Sequence, residues 1–427
     1  MKLRSKAFFC LLFLLISHLT FSSPAEAQTK RFGAYFVEWG VYDRDYVPAD
    51  IPVAKLTHVN YAFLKPTETD ECAIHDTWAA KGKPMDRLVY GTDISRNEHL
   101  GTLNQLRKLR SIRPGAHISL LFSLGGATLS NSGVFSAIAA DPARRSRLAA
   151  NCVAFMKQEG FDGIDIDWEF PKSAETANFT ELIKAFRAEM QRQGPNPRNG
   201  KPFLLTIAAS SSVYYINFID VAEIAPYLDW VNVMAYAKHG CWGINHTGHN
   251  APLLGSTEEP DGFGYSGDGG ISEWLRRGMP ADKLLLGLPY YGRAFQAMTG
   301  PGPNPSSYPG RFAPIDPAMN TSGSCAQGTW AADGILSYWH LVENYVDLQG
   351  WTSYWDGEQR TRFLYKDQSS YWISYDDPDS IAEKANYALL HNLGGIFAWE
   401  LSQEKRPGFT TTYPLTSAAA EGLQGIR

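Results

Sequence analysis

Apolar positions gather along the chain in short runs that read as strands: Phe32–Trp39, Leu56–Leu64, His117–Ser123, Gly163–Glu169, Phe203–Ser210, Trp230–Tyr236, Lys283–Tyr291 and Gly395–Trp399. Runs of this length suit strands covered on both faces. The stretches between them carry a helical period. Leu103, Leu106 and Leu109 line one such face, followed by Pro114-Gly115. A second helix is bracketed by Asp141 as N-cap, Pro142 at the first position and Gly160 as its stop. A third presents Phe179, Leu182, Ile183, Phe186 and Met190 at i, i+3, i+4 spacing. Eight strand and helix units in succession predict an α/β fold, a closed TIM (β/α)8 barrel. An open doubly wound sheet would place a Gly-rich phosphate turn after the first strand, and Phe36-Val37-Glu38-Trp39 is not one.

One interval breaks the rhythm. Gln296 to Ser374 is rich in Pro, Gly, Tyr and Trp, with strand-like pieces at Thr352–Trp355 and Arg362–Tyr365. That is too long for a connection. It predicts a small α+β insertion domain over 296–374, forming one wall of a cleft, within a barrel built from 28–295 and 375–427. The stretch after Glu404 reads as a frayed end. At the other terminus Lys2, Arg4 and Lys6 precede the apolar run Ala7–Leu19, and Ala25-Glu26-Ala27 fits a cleavage site. Residues 1–27 therefore read as a secretory signal peptide. The mature protein is expected to be secreted, extracellular or periplasmic, with no later membrane span.

Composition narrows the partners. The net charge of the 427-residue chain is −5, and removing the basic leader makes it more negative. Such a chain offers no electrostatic footprint for nucleic acid or an anionic membrane. Four cysteines follow the leader: Cys72, Cys152, Cys241 and Cys325. No Cys-x-x-Cys pair points to zinc or redox chemistry. Cys152 falls on an apolar helix face and reads as core, which leaves at most one disulfide among the other three. His246 and His249 sit in a loop with no carboxylate close in sequence, so neither a metal nor a cofactor is expected.

The most informative text is Phe161-Asp162-Gly163-Ile164-Asp165-Ile166-Asp167-Trp168-Glu169-Phe170-Pro171. Alternation along a strand puts Asp165, Asp167 and Glu169 on one face and Ile164, Ile166 and Trp168 on the other. Three acids on an interior face cannot all ionise, so at least one keeps its proton. Glu169 falls at the C-terminal end, where barrels place their chemistry, and a carboxyl held neutral there is a general acid. A calcium loop would need flexible oxygen ligands on turns. Asp162 is out of phase and reads as structural, bonded to backbone or to Ser123.

Asp162-x-x-Asp165-x-Asp167-x-Glu169 resembles the signature of the family 18 glycoside hydrolases, the chitinases and their relatives. Ser123-Leu124-Gly125-Gly126, Met234-Ala235-Tyr236, Pro289-Tyr290-Tyr291-Gly292-Arg293 and Gly394-Gly395-Ile396-Phe397-Ala398-Trp399 resemble the family's motifs on strands three, six, seven and eight. Tyr35-Phe36-Val37-Glu38-Trp39-Gly40 resembles the first strand of exported bacterial chitinases, and the insertion fits that group too. The resemblance implies hydrolysis of chitin or chitooligosaccharides by a monomer. The substrate's own acetamido oxygen is then the nucleophile, an exception to the two-carboxylate scheme. Glu169 is implied as acid and base, Asp167 as partner of the acetamido N–H, Asp165 as the group tuning Asp167, and Tyr236 as donor to the acetamido oxygen. Trp399 is implied as the sugar's floor, with Trp39, Tyr35 and Met234 lining subsites and Trp330 capping from the insertion. Tyr291 and Arg293 contact substrate or brace the site, Arg293 by bonding a wall carboxylate. Two departures stand out: Ala237 replaces the Asp that usually follows the strand-six Tyr, and Ala127 replaces an aromatic. The loss at Ala237 can be offset by Lys238, His239 or Asn250, and it leaves a chitin-binding lectin as the alternative reading.

Overall fold

The computed structural model describes residues 30–426 except 90–96, 113–117, 243–244, 317–324, 349, 367–369 and 406–412. The expected signal peptide, Pro114-Gly115 and His117 lie outside the described residues.

Eight strands pair in parallel around a closed circuit. They are β1 (Arg31–Val37), β2 (His58–Pro66), β4 (Ser119–Gly125), β5 (Gly163–Asp167), β6 (Leu204–Ser210), β7 (Trp230–Met234), β8 (Leu284–Pro289) and β14 (Gly395–Trp399). A short β3 (Cys72–Ile74) hangs antiparallel on β2. Pairing of β1 with both β14 and β2 closes the barrel, so no edge of the eight is left unpaired. The expected TIM barrel is therefore present.

The helices around it form where period and caps place them. In Pro142–Glu159, Asp141 accepts from the N–H groups of Ala143 and Arg144, and Leu148, Cys152, Val153 and Met156 are buried. In Thr176–Arg192 the buried residues include Phe179, Leu182, Ile183, Phe186 and Met190. Thr102–Ile112 buries Leu103, Leu106 and Leu109. These faces and the outward faces of the strands form one large apolar core.

A second sheet rises from the C-terminal end. It comprises β9 (Tyr291–Phe295), β10 (Ile335–Ser337), β11 (Thr352–Asp356), β12 (Thr361–Tyr365) and β13 (Trp372–Tyr375), antiparallel in the order β10-β9-β13-β12-β11. The single run Lys283–Tyr291 is thus two strands. β8 ends at Pro289, and Tyr291, which continues the apolar text, already belongs to the second sheet. Continuous hydrophobicity hides a change of sheet, because both strands are buried.

The tail corrects the sequence reading. Pro414–Gly422 is a helix with Leu415, Ala418 and Ala419 fully buried, not a frayed end. Glu404 fastens it by accepting from the N–H groups of Leu415 (2.9 Å) and Thr416 (3.2 Å) and from the Thr416 hydroxyl. Cys241 and Cys325 form a disulfide with Cα atoms 5.6 Å apart, joining the loop after β7 to the segment before β10. Cys152 is core, beside Cys72, which is also a free thiol.

Candidate active site

Strand register assembles the acids. β4 and β6 flank β5 so that Ser123 and Thr206 both stand beside Asp165. Their hydroxyls donate to its carboxylate at 2.8 and 2.6 Å. From across the lumen Tyr35 donates at 2.7 Å and Asn232 Nδ2 at 3.1 Å. Asp165 is fully buried, which raises its pKa, while these four donors oppose the rise. Four donors on one carboxylate favour its ionised form against burial, and they fix Asp165 as the acceptor at the centre of the lumen.

Asp167 and Glu169 sit above it as a coupled pair. Burial first, then the charges of Glu169 and Asp165 and a hydrogen bond shared with Glu169, push Asp167 well above the usual carboxylate range. Glu169 is raised to about 7 by burial, against hydrogen bonds from Asp167 and the Ala127 N–H. The retained proton thus belongs to the pair.

Loops at the strand ends hold Glu169 in place. The Ser130 hydroxyl accepts from the Glu169 N–H at 2.9 Å and donates to the Asp167 carbonyl at 3.2 Å. The Gly126 N–H reaches the same carbonyl at 2.8 Å. Gly125 has φ +117, and a Cβ there would lie 2.2 Å from the Asp167 carbonyl oxygen. Gly126 has φ +88, and its Cβ would lie 2.6 Å from the Phe63 ring. Only glycine tolerates both the backbone and the crowding.

Asp167 and Glu169 open into a cavity lined also by Tyr35, Phe63, Ala127, Ala208, Met234, Tyr236, Ala237, Tyr291 and Trp399. Trp399 ends β14 with Tyr35 edge-on at 5.2 Å and Phe63 stacked at 5.8 Å between ring centroids. Tyr236 rests edge-on against Phe397 and Tyr291. Trp39 and Trp330 do not line this cavity. Trp39 packs on Phe63 at 6.0 Å. Trp330 is 39% exposed, donates to the Ser337 hydroxyl and lies under Arg44. The Arg293 guanidinium packs over the rings of Trp242 (4.8 Å) and Tyr291 (5.4 Å). Among the described residues these ring contacts, and no ion pair with a wall carboxylate, mark its place.

Asp162 does not join the other three acids. It accepts from the Leu120 N–H, Arg110, Arg198 and Asn196 at the opposite end of the barrel. Ser123 is not its partner, because that hydroxyl is spent on Asp165.

Around Ala237 the three candidate substitutes separate. Asn250 Oδ1 accepts from the Ala237 N–H at 3.2 Å, while its Nδ2 donates to the Tyr291 carbonyl. Lys238 Nζ turns to the Ser211 carbonyl, and burial lowers its pKa to about 7. His239 faces Glu259 and Asp261. His249 meets Asp356 at 3.1 Å. The expectation that His246 and His249 have no carboxylate near is thereby corrected: Asp261, further along the same connection, lies 3.6 Å from His246, and Asp356 at the end of β11 reaches His249.

Sequence reasoning missed Phe63, Ala208, Ser130, Thr206 and Asn232. Phe63 lies inside a strand run and is indistinguishable there from core. The polar three carry no motif of their own; strand register reveals Thr206 and Asn232, and the short helix Ala127–Ser130 places Ser130.

A parallel barrel with a proton-sharing carboxyl pair above an aromatic floor, at the C-terminal ends of its strands, defines a glycosidase-type centre. The sequence profile of the glycosyl hydrolases family 18 matches residues 31–404, and the chain belongs to that family of glycoside hydrolases. It is 33% identical to "Chitinase 1" of Aphanocladium album over 87% of this chain and 81% of that protein. It is 31% identical to "Chitinase A1" of Niallia circulans over 94% of this chain, spanning 61% of that longer relative. Among solved structures, chitinase ChiA74 from Bacillus thuringiensis superposes with a TM-score of 0.82 at 30% identity, covering 93% of this chain and 70% of that one. Among the described residues no helix is long and apolar enough to cross a membrane.

Proposed function

We propose that the protein is a secreted, monomeric chitinase that hydrolyses β-1,4 linkages between N-acetylglucosamine units with retention, using the substrate's acetamido group as nucleophile. The observation that carries this reading is the buried Asp167–Glu169 pair, both members raised, opening beside Tyr236 onto Trp399.

A pyranose presents apolar C–H faces, and Trp399 offers the surface on which one would stack. Its acetamido N–H would donate to an Asp167 oxygen. The proton that the pair shares then stands on Glu169, which faces the bond to be broken. Glu169 then gives the proton to the glycosidic oxygen while the acetamido oxygen closes on the anomeric carbon, forming an oxazolinium ion and releasing the leaving sugar. Asp165 and Asp167 stabilise the developing positive charge, and the Tyr236 hydroxyl orients the acetamido oxygen. Water, deprotonated by Glu169, opens the ring from the face the first sugar left.

The second sheet, with the residues 296–374 that contribute most of it, serves in this reading as a cleft wall. Arg293 would hold the exposed indole of Trp242 flat for a further sugar. The lectin alternative rests on Ala237 alone, and a lectin has no use for an acid held near neutrality.

Glu169→Gln tests the assignment. Hydrolysis of chitin oligosaccharides is expected to fall by about 10² to 10⁴-fold, with oligosaccharide affinity by calorimetry retained. Undiminished hydrolysis would remove Glu169 from the mechanism.

A further inference from the structure

Outside the cleft, the long connection between β7 and the helix Gly267–Arg276 folds back on itself and brings four metal-type side chains to one point. His239 and His246 follow β7, and Glu259 and Asp261 come from further along the same connection. One ligand atom from each lies within 4.8 Å of all the others. The edges are short. His239 Nε2 is 3.1 Å from Glu259 Oε1 and 3.4 Å from Asp261 Oδ2, and His246 Nε2 is 3.6 Å from the same Asp261 oxygen. Zinc binds His and carboxylate at about 2.0–2.2 Å, so neighbouring ligands of a tetrahedron stand roughly 3.3–3.5 Å apart. The observed edges bracket that spacing.

Two further features point to an ion. Both imidazoles have Nδ1 turned to a backbone carbonyl, His239 to that of His249 and His246 to that of Thr247, each at 2.9 Å. Donation there leaves Nε2 as the coordinating atom, the usual arrangement behind a metal-bound histidine. The other pointer is Glu259. Its side chain is 1% exposed, and Oε2 is buried with no hydrogen-bond partner among the described residues. A carboxylate buried with one oxygen undonated is costly unless a cation neutralises it, here through Oε1, the oxygen that faces His239.

The surroundings suit a closed structural site. Tyr265 and Phe312 pack against the imidazoles at 5.1 and 6.3 Å. The Lys238 ammonium points elsewhere, to the Ser211 carbonyl. Two nitrogen and two carboxylate ligands select a borderline ion over calcium or magnesium, which prefer all-oxygen shells.

We propose that His239, His246, Glu259 and Asp261 bind one Zn²⁺ that pins the early part of the connection after β7 to its later part. Binding displaces any proton on His239 Nε2 to solvent. The ion is structural. It sits beyond Ala237 and takes no part in bond cleavage.

The test uses the full chain, stripped with a chelator and then dialysed against zinc chloride. Metal analysis should give one Zn²⁺ per chain, with a higher Tm than the stripped protein. Cobalt should give the visible bands of a four-coordinate site. His246→Gln and Asp261→Asn, both at partly exposed positions, should fold, lose the stoichiometric zinc and lose the Tm rise. Zinc no higher than in the stripped protein, zinc retained in the double variant, or a Tm rise with calcium but not zinc would each overturn the proposal.

Discussion

Tyr35 and Asp165, 130 residues apart, are joined by a 2.7 Å hydrogen bond across the barrel lumen. The bond gives Tyr35 a task besides lining the cavity. It helps keep Asp165 an acceptor, and the charge on Asp165 raises Asp167.

Removing that hydroxyl should therefore act at one remove from the substrate. In Tyr35→Phe the ring stays against Trp399, and Asp165 keeps three donors. A lost hydrogen bond to a charged group costs about 1.5–3 kcal/mol, so kcat should fall by roughly 10 to 100-fold. KM should change little. Steady-state kinetics on a chitin tetramer decide it, and a rise in KM at constant kcat would make Tyr35 a binding residue only.

Ala237 has φ +54 and lines the cavity. In the proposed reading, a carboxylate at this position helps to place the acetamido group and the acid pair. Asp enters this left-handed region more readily than Ala. Ala237→Asp should raise turnover, by about tenfold if roughly 1.4 kcal/mol of transition-state stabilisation is recovered. A kcat equal to or below the parent would mean that Asn250 and its contacts have rebuilt the site around Ala.

Glu404 predicts a pH-dependent stability. Burial raises its pKa from 4.5 to about 7, although Leu415 and Thr416 donate to it. The folded value lies above the unfolded one. Its contribution is thus complete below about pH 4.5 and is lost as pH rises through 7. Glu404→Gln should remove that slope, worth roughly 3 kcal/mol over the interval. Urea unfolding of both proteins at pH 4.5 and pH 8 measures it. Parallel losses would contradict the assignment.

Much of this was legible in the chain. The eight runs located every barrel strand, because each is buried on both faces and reads as unbroken hydrophobicity. Period two put Asp165 and Asp167 inside and Asp162 elsewhere. What stayed hidden depends on partners distant in sequence. Ser123, Thr206, Tyr35 and Asn232 become one shell only through register. Glu404 turns an apparent tail into a docked helix. The break at Tyr290 was invisible because hydrophobicity continues from one sheet to the next.

The central claim is that the substrate attacks itself while the Asp167–Glu169 pair supplies the proton. Following a chitin hexamer by NMR in the first minutes of hydrolysis tests it most directly. The account predicts that new reducing ends appear first as the β anomer and only later mutarotate; first products in the α form would contradict it.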